Sequence, residues 1–180
     1  GEPLQGCAAI EPTSLVADDF IDVAVGMYHV CGLHADGAVS CWLDPEEEDG
    51  EYDARQDEVP EGLRVTAIEA DGFHTCGLGF DDRVYCWGRD EGGQSDPFSV
   101  EHLTALSAGD GHLCGLWHDE VFCVGDDRYG QARPPEDGTP MVDLAMGARH
   151  GCALSESGEL RCWGDDTWGQ ASPPEGSYVD

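Results

Sequence analysis

The sequence predicts an all-β protein built of about four small antiparallel sheets. Three observations carry that reading. A segment anchored on His-x-Cys-x-Leu recurs four times, apolar residues alternate with period two over short runs, and Gly, Asp and Pro bound those runs. That is the pattern of strands and tight turns rather than helices.

In chain order, residues 1–19 form an N-terminal segment, and the repeats run over about 20–62, 63–99, 100–138 and 139–180. The anchors are His29, Cys31 and Leu33; His74, Cys76 and Leu78; His112, Cys114 and Leu116; and His150, Cys152 and Leu154. An apolar lead-in precedes them, Phe20-Ile21-Asp22-Val23-Ala24-x-Gly26 aligning with Met141-Val142-Asp143-Leu144-Ala145-x-Gly147. A second Cys follows each anchor, in Val39-Ser-Cys41-Trp42, Val84-Tyr-Cys86-Trp87-Gly, Val121-Phe-Cys123-Val124-Gly and Leu160-Arg-Cys162-Trp163-Gly. Gly-Gln comes next at 93–94, 130–131 and 169–170, with Pro97, Pro134 and Pro173 shortly after. The first repeat lacks Gly-Gln and carries an insert from Asp44 to Glu61 in which ten of eighteen residues are acidic. Such a stretch is expected to be an exposed, mobile loop.

Directly opposed residues of an antiparallel hairpin have a constant sum of positions, so pairing can be tested by parity. In repeat one, 31 with 41 and 33 with 39 share a sum, and repeats two and four behave alike. Repeat three is one residue shorter between its cysteines, but the loss falls in the turn, His118-Asp119, so Cys114 still opposes Cys123 and Leu116 opposes Val121. Cysteine kept opposite cysteine through a length change favours four hairpin disulfides: Cys31 with Cys41, Cys76 with Cys86, Cys114 with Cys123, and Cys152 with Cys162. Each would contribute roughly 2 to 3 kcal/mol by closing a loop of about ten residues. Two other readings stay open. A His and two Cys per repeat could ligate zinc, although the close Cys-x-x-Cys pairs of common zinc modules are missing, or the thiols could be free and buried.

Disulfides imply an oxidising compartment: periplasm, cell surface or medium. Cys7 is then left over, in Leu4-Gln5-Gly6-Cys7, which faintly resembles a lipoprotein cleavage box and makes Cys7 a candidate lipid anchor. Gly1 suggests a processed or recombinant terminus. No apolar run approaches the ~20 residues of a membrane-spanning helix.

Charge excludes several partner classes. With 38 Asp and Glu against 8 Lys and Arg, the formal net charge is -30. Binding to nucleic acid or anionic lipid is therefore disfavoured. All eight cations are arginine, and there is no Lys or Asn, so N-glycosylation is excluded. A lysine-free acidic surface suits high salt, and stability should rise with salt as repulsion is screened. The composition is 40% hydrophobic, and with five Trp and nine Cys at regular positions this argues for a folded chain rather than a disordered one.

Ala108-Gly109-x-x-His112-x-Cys-x-Leu, then Gly158-x-Leu-x-Cys-Trp-Gly164, then Gly169-Gln170 and Pro173 resemble repeats of the regulator of chromosome condensation family, over about residues 20–180. The resemblance implies a β-propeller-like array of about four antiparallel blades, each of four strands, with protein bound at the rims or exposed loops. Relatives in the family include nuclear exchange factors for a small GTPase and a secreted bacterial propeller that inhibits β-lactamases. The lead-in pattern begins a fifth time at Tyr178-Val179-Asp180. An open arc, a fragment of a longer propeller and a ring closed by oligomerising are all consistent with that ending, and the tail could instead cap the array as a strap.

The four repeated histidines suggest one structural task done four times, as buried, hydrogen-bonded residues. His34, His102 and His118 are expected to face solvent. No phosphate loop, Gly-x-Ser-x-Gly or His-Glu-x-x-His motif occurs. Asp90-Glu91, Asp126-Asp127 and Asp165-Asp166 could bind Ca²⁺, as could the Asp49-Gly-Glu51-Tyr-Asp53 cluster. None has EF-hand spacing, and solvated turn residues are the simpler reading. Trp42, Trp87 and Trp163 occupy equivalent positions and are read as blade packing. Trp117 and Trp168 lie nearer turns and, with Glu46, Glu47 and Glu48 of the acidic insert, are the candidate interface residues. The function expected is a secreted or surface-attached, bacterial-type, non-catalytic module that binds another protein, without cofactor or metal, and that could form a homo-oligomer. The alternatives are a carbohydrate-processing or metal-dependent enzyme domain and a Ca²⁺-binding surface module. Nuclear exchange-factor activity ranks last, because it conflicts with both the charge and the disulfides.

Overall fold

The computed structural model describes residues 20–43, 55–90, 103–174, 176 and 178. They form twelve strands and no helix: β1 (Phe20–Val25), β2 (His29–His34), β3 (Val39–Leu43), β4 (Val65–Asp71), β5 (His74–Gly79), β6 (Val84–Gly88), β7 (Leu103–Gly109), β8 (His112–Trp117), β9 (Glu120–Gly125), β10 (Met141–Met146), β11 (His150–Ser155) and β12 (Leu160–Gly164). Each consecutive trio is one antiparallel sheet with its strands in chain order. The four blades follow the four repeats and make an open arc. The expectation of four strands per blade is corrected to three among the described residues: 126–140 and 165–174, after β9 and β12, form no strand, and the segments after β3 and β6 lie largely outside the described residues.

The hairpin register is the one parity requires. Cys31 pairs with Cys41, Cys76 with Cys86, Cys114 with Cys123 and Cys152 with Cys162. A disulfide closes each pair. The shortened third hairpin keeps Leu116 opposite Val121. Its two turn residues, His118 and Asp119, both take positive φ, 46° and 68°, the mirror-image turn that matches strand twist.

The core lies between blades rather than within them. The first strand of each blade packs onto the first and second strands of the blade before it, so alternate side chains of a thin sheet find cover on a neighbour. Ala24, Cys31 and Leu33 of blade 1 meet Val65, Ile68 and Trp87 of blade 2. Cys76 and Val84 meet Leu103, Ala108 and Leu113, and Cys114 and Leu116 meet Met141, Leu144, Ala153 and Trp163. Backbone bonds recur at these joints: Val65 donates to Gly37 O at 2.9 Å and Met141 to Asp119 O at 2.9 Å.

Candidate protein-binding rim

The strand directions give the arc two rims. One carries the hairpin turns between second and third strands. The other carries the segments before each repeated histidine and the loops after each third strand.

On the second rim, two loops fold alike. In 126–131 and 165–170, the first Asp accepts from the backbone N–H two residues on, Asp126 from Arg128 at 3.2 Å and Asp165 from Thr167 at 3.0 Å. The second Asp accepts five residues on, Asp127 from Ala132 at 3.3 Å and Asp166 from Ala171 at 2.9 Å. The Gln side chain then accepts from the residue before the glycine, Gln131 from Tyr129 N and Gln170 from Trp168 N, both at 2.8 Å. Gly130 and Gly169 share φ 80°, a left-handed conformation that costs glycine nothing. These acidic pairs are thus turn-forming groups, and Arg128 and Arg133 pair with Asp126 and Asp127. Among the described residues, no three His, Cys, Asp or Glu side chains are grouped to hold a metal ion.

The product of each loop is an aromatic ring held out to solvent. Trp168 is 89% exposed and Tyr129 is 43% exposed. Arg149 lies over the Tyr129 ring at 4.8 Å. Tyr28 and Phe73, each just before its repeated histidine, stack at 5.4 Å, and Arg89 lies over Phe73 at 5.4 Å. Aromatic and arginine side chains alternating along one edge are the composition of protein-binding surfaces. The sequence reading named only Trp168 of this set. Equivalence of Tyr129 to Trp168 in the Gly-Gln frame was the available signal.

Trp117 does not join them. It ends β8 on the hairpin rim, 37% exposed, with its ring stacked on His118 at 4.7 Å. Glu46, Glu47, Glu48, Cys7, His102 and the Asp49 to Asp53 cluster lie outside the described residues. His34 is half-buried, with its ring 2.8 Å from Ser40 Oγ and against Phe20, and His118 is exposed.

Beneath the rim stands the histidine row. His29, His74 and His112 are buried, and burial lowers each imidazole from 6.5 to about 4. The rings are therefore neutral at pH 7. His29 Nε2 lies 2.6 Å from Thr75 Oγ1, but neither nitrogen of His112 has a partner, which corrects the expectation of hydrogen bonding throughout. His150 is only half-buried, with no further blade packed over it among the described residues. Gly26, Gly109 and Gly147 lie so close to the rings of His29, His112 and His150 that a Cβ would collide. Blade 2 has Asp71 at that place; burial pushes its carboxyl up, and the nearby Asp110 adds to the effect.

A further device was missed. Trp87 donates its indole N–H to Gln56 O at 2.9 Å, and Trp163 donates to Gln131 O at 2.8 Å. Gln56, 1% exposed, thus does in repeat one what Gln131 does in repeat three, and Arg55 with φ 60° stands in for Gly130. Repeat one has its Gly-Gln after all, written Arg-Gln inside the acidic insert. Trp42 meets no such carbonyl among the described residues and is 48% exposed, so its expected role in blade packing is not met there.

The sequence pattern described as the regulator of chromosome condensation (RCC1) repeat matches residues 65–94 and 141–170. Two of the four repeats thus match the RCC1 repeat. The matched segments cover repeats two and four, which keep both Trp-Gly and Gly-Gln. Repeats one and three, with Arg55 for glycine and Val124 for tryptophan, depart from the pattern. Among solved structures, the ectodomain of the receptor kinase CR4 of Physcomitrella patens is 28% identical, with a TM-score of 0.66, over 81% of this chain and 39% of its own. The CRINKLY WD40 ectodomain of the Arabidopsis thaliana receptor kinase ACR4 is 25% identical, TM-score 0.61, over 82% and 51%. Prp20p of Saccharomyces cerevisiae, described with its binding to Gsp1p and histones, shares the fold at 18% identity, TM-score 0.70, over 87% and 46%. The chain thus spans about two fifths to a half of the solved proteins it matches. No protein of curated function matches it by sequence.

Proposed function

We propose that the chain is a non-catalytic protein-binding module of a secreted or surface-exposed protein, and that the rim bearing Tyr129, Arg149 and Trp168 makes the contact. The observation that carries this reading is the pair of identically built loops that spend their hydrogen bonds on holding an aromatic ring out in solvent. Four disulfides support an oxidising compartment. Two plant receptor ectodomains at 28% and 25% identity are the same kind of array in an extracellular setting. The net charge of -30 favours a partner with a basic contact face, whose association would slow as salt is added.

The test immobilises the full chain and a Y129A/W168A variant, and passes over them the secreted and surface proteins of the source cell. A partner held by the wild type and lost from the variant, with its on-rate falling steeply in salt, is the expected result. Equal retention by both, or glycan hydrolysis abolished by a carboxylate substitution, would overturn the reading.

A further inference from the structure

On the hairpin rim, a cleft of about 400 Å³ opens where blade 2 meets blade 1. It is formed by Phe80 and Tyr85 of the β5–β6 hairpin together with Pro60 and Leu63 of the segment leading into β4. Phe80 is 68% exposed, and its ring lies so close to Gly37, in the turn of blade 1, that a Cβ there would collide. Both blades hold the cleft in shape. Leu63 donates to Pro60 O at 3.1 Å and Val65 to Gly37 O at 2.9 Å, Tyr85 donates its hydroxyl to Asp81 at 2.8 Å, and Arg64 reaches back to Asp36 at 3.7 Å.

Blade 4 builds a cleft of about 350 Å³ at the equivalent place, between Thr139 and Pro140 and the turn residues Ser155, Glu156 and Ser157. There Glu156 stands for Phe80, Thr139 for Leu63 and Arg161 for Tyr85. The blade stands with polar residues at all three places, so the architecture does not require the aromatic lining of blade 2. A lone exposed apolar side chain is ordinary, but one set in a cleft beside a tyrosine, a proline and a leucine is not scattered. The opening is also acidic. Asp36, Glu61, Asp81 and Asp82 outnumber Arg64 and Arg83, which are already engaged with Asp36 and Asp81.

We propose that this cleft docks an extended, proline-bearing segment of a partner protein, with Arg or Lys beside the proline. Such a segment is already in its bound shape, and its backbone needs few partners. The cleft offers few. The Tyr85 hydroxyl is spent on Asp81, which leaves as donors the N–H groups of Arg64 not turned to Leu63 O or Asp36, and these meet the carbonyls of the bound segment. The proline ring lies against Phe80 and Tyr85, and its basic neighbour faces Glu61 and Asp81, so the surplus of carboxylates selects the segment and speeds its arrival. The site lies on the rim opposite Tyr129 and Arg149, so each contact can fail without the other.

The full chain is panned against displayed random peptides of about ten residues, the length of about three turns of a polyproline helix. Peptides enriched on the wild type should carry a proline next to Arg or Lys. F80E, which gives blade 2 the residue of blade 4 at an exposed position, should weaken them about thirtyfold, the loss of one aromatic anchor, with all four disulfides formed and the denaturation midpoint unchanged. E61Q, a second and conservative variant, should weaken them about threefold, and by less in ~1 M NaCl, where charge is screened. Y129A/W168A should bind them as the wild type does. No enriched peptide, enriched peptides without proline or without a basic residue, or equal binding by F80E would overturn the proposal. So would peptides lost from Y129A/W168A, which would belong to the aromatic rim.

Discussion

Arg55 shows how one residue can hide a repeat. Its left-handed backbone, φ 60°, is the conformation of Gly130 and Gly169, at a cost of roughly 1 kcal/mol for a residue with a Cβ. The structure keeps it because Gln56 must turn inward to meet Trp87. Arg55→Gly is therefore expected to raise stability by up to about 1 kcal/mol, less what glycine adds to unfolded-state entropy, while Gly130→Ala lowers it by about the same. Guanidinium denaturation of both variants checks this, and a destabilised R55G would mean that the side chain of Arg55 matters more than its backbone. The motif could not be read in the sequence because a glycine-like conformation left no glycine behind, and the surrounding carboxylates read as solvated loop. The exposure of Trp42 was hidden for a related reason: a tryptophan's burial here depends on a carbonyl one blade earlier, which its own repeat does not encode.

Strands and hairpins were the legible elements. Alternation placed the β2–β3, β5–β6, β8–β9 and β11–β12 hairpins, and the constant sums placed the cysteine pairs, because register in a two-stranded ribbon is a local property. The third hairpin gives the sharpest case, with the deletion absorbed wholly in His118-Asp119. Both residues bear positive φ, which glycine tolerates best at the second place of such a turn. Asp119→Gly should stabilise the blade by about 0.5 to 1 kcal/mol with no change in register. An unchanged or lowered midpoint would show that Asp119 is held by more than its turn. The aromatic rim was less legible, since it gathers residues from different repeats, and only the stacking of blades brings Tyr28 to Phe73 and Arg149 to Tyr129.

Over the whole molecule, acid should act first through the buried histidines. Unfolded, His29, His74 and His112 take up protons near pH 6.5, but folded they resist until about 4. The unfolded chain thus binds more protons in that window, and stability, complete above 6.5, is lost as pH falls toward 4, on the order of a few kcal/mol per histidine. Burial of Glu69 and Asp71 works the other way, since their raised carboxyls favour the folded state as they protonate. Denaturant midpoints at pH 7, 5.5 and 4 in ~1 M NaCl, where long-range repulsion is screened, should fall stepwise. A flat or rising series would show that the rings find water or a partner.

Placing sulfur at the joints grades the chemical durability of the chain along its length. Cys31, Cys76 and Cys114 are fully buried where blades meet, whereas their counterpart Cys152 and the four second cysteines, Cys41, Cys86, Cys123 and Cys162, are half-buried. The inner three bonds offer a thiolate only their half-buried second sulfur until neighbouring blades part, whereas Cys152–Cys162 offers both sulfurs and is attacked faster. Timed alkylation and peptide mapping should find Cys152 and Cys162 labelled first by a wide margin. Four bonds reduced at one common rate would mean that Cys152 is as well covered as the other three, and the array would then age as a unit instead of from blade 4 inward.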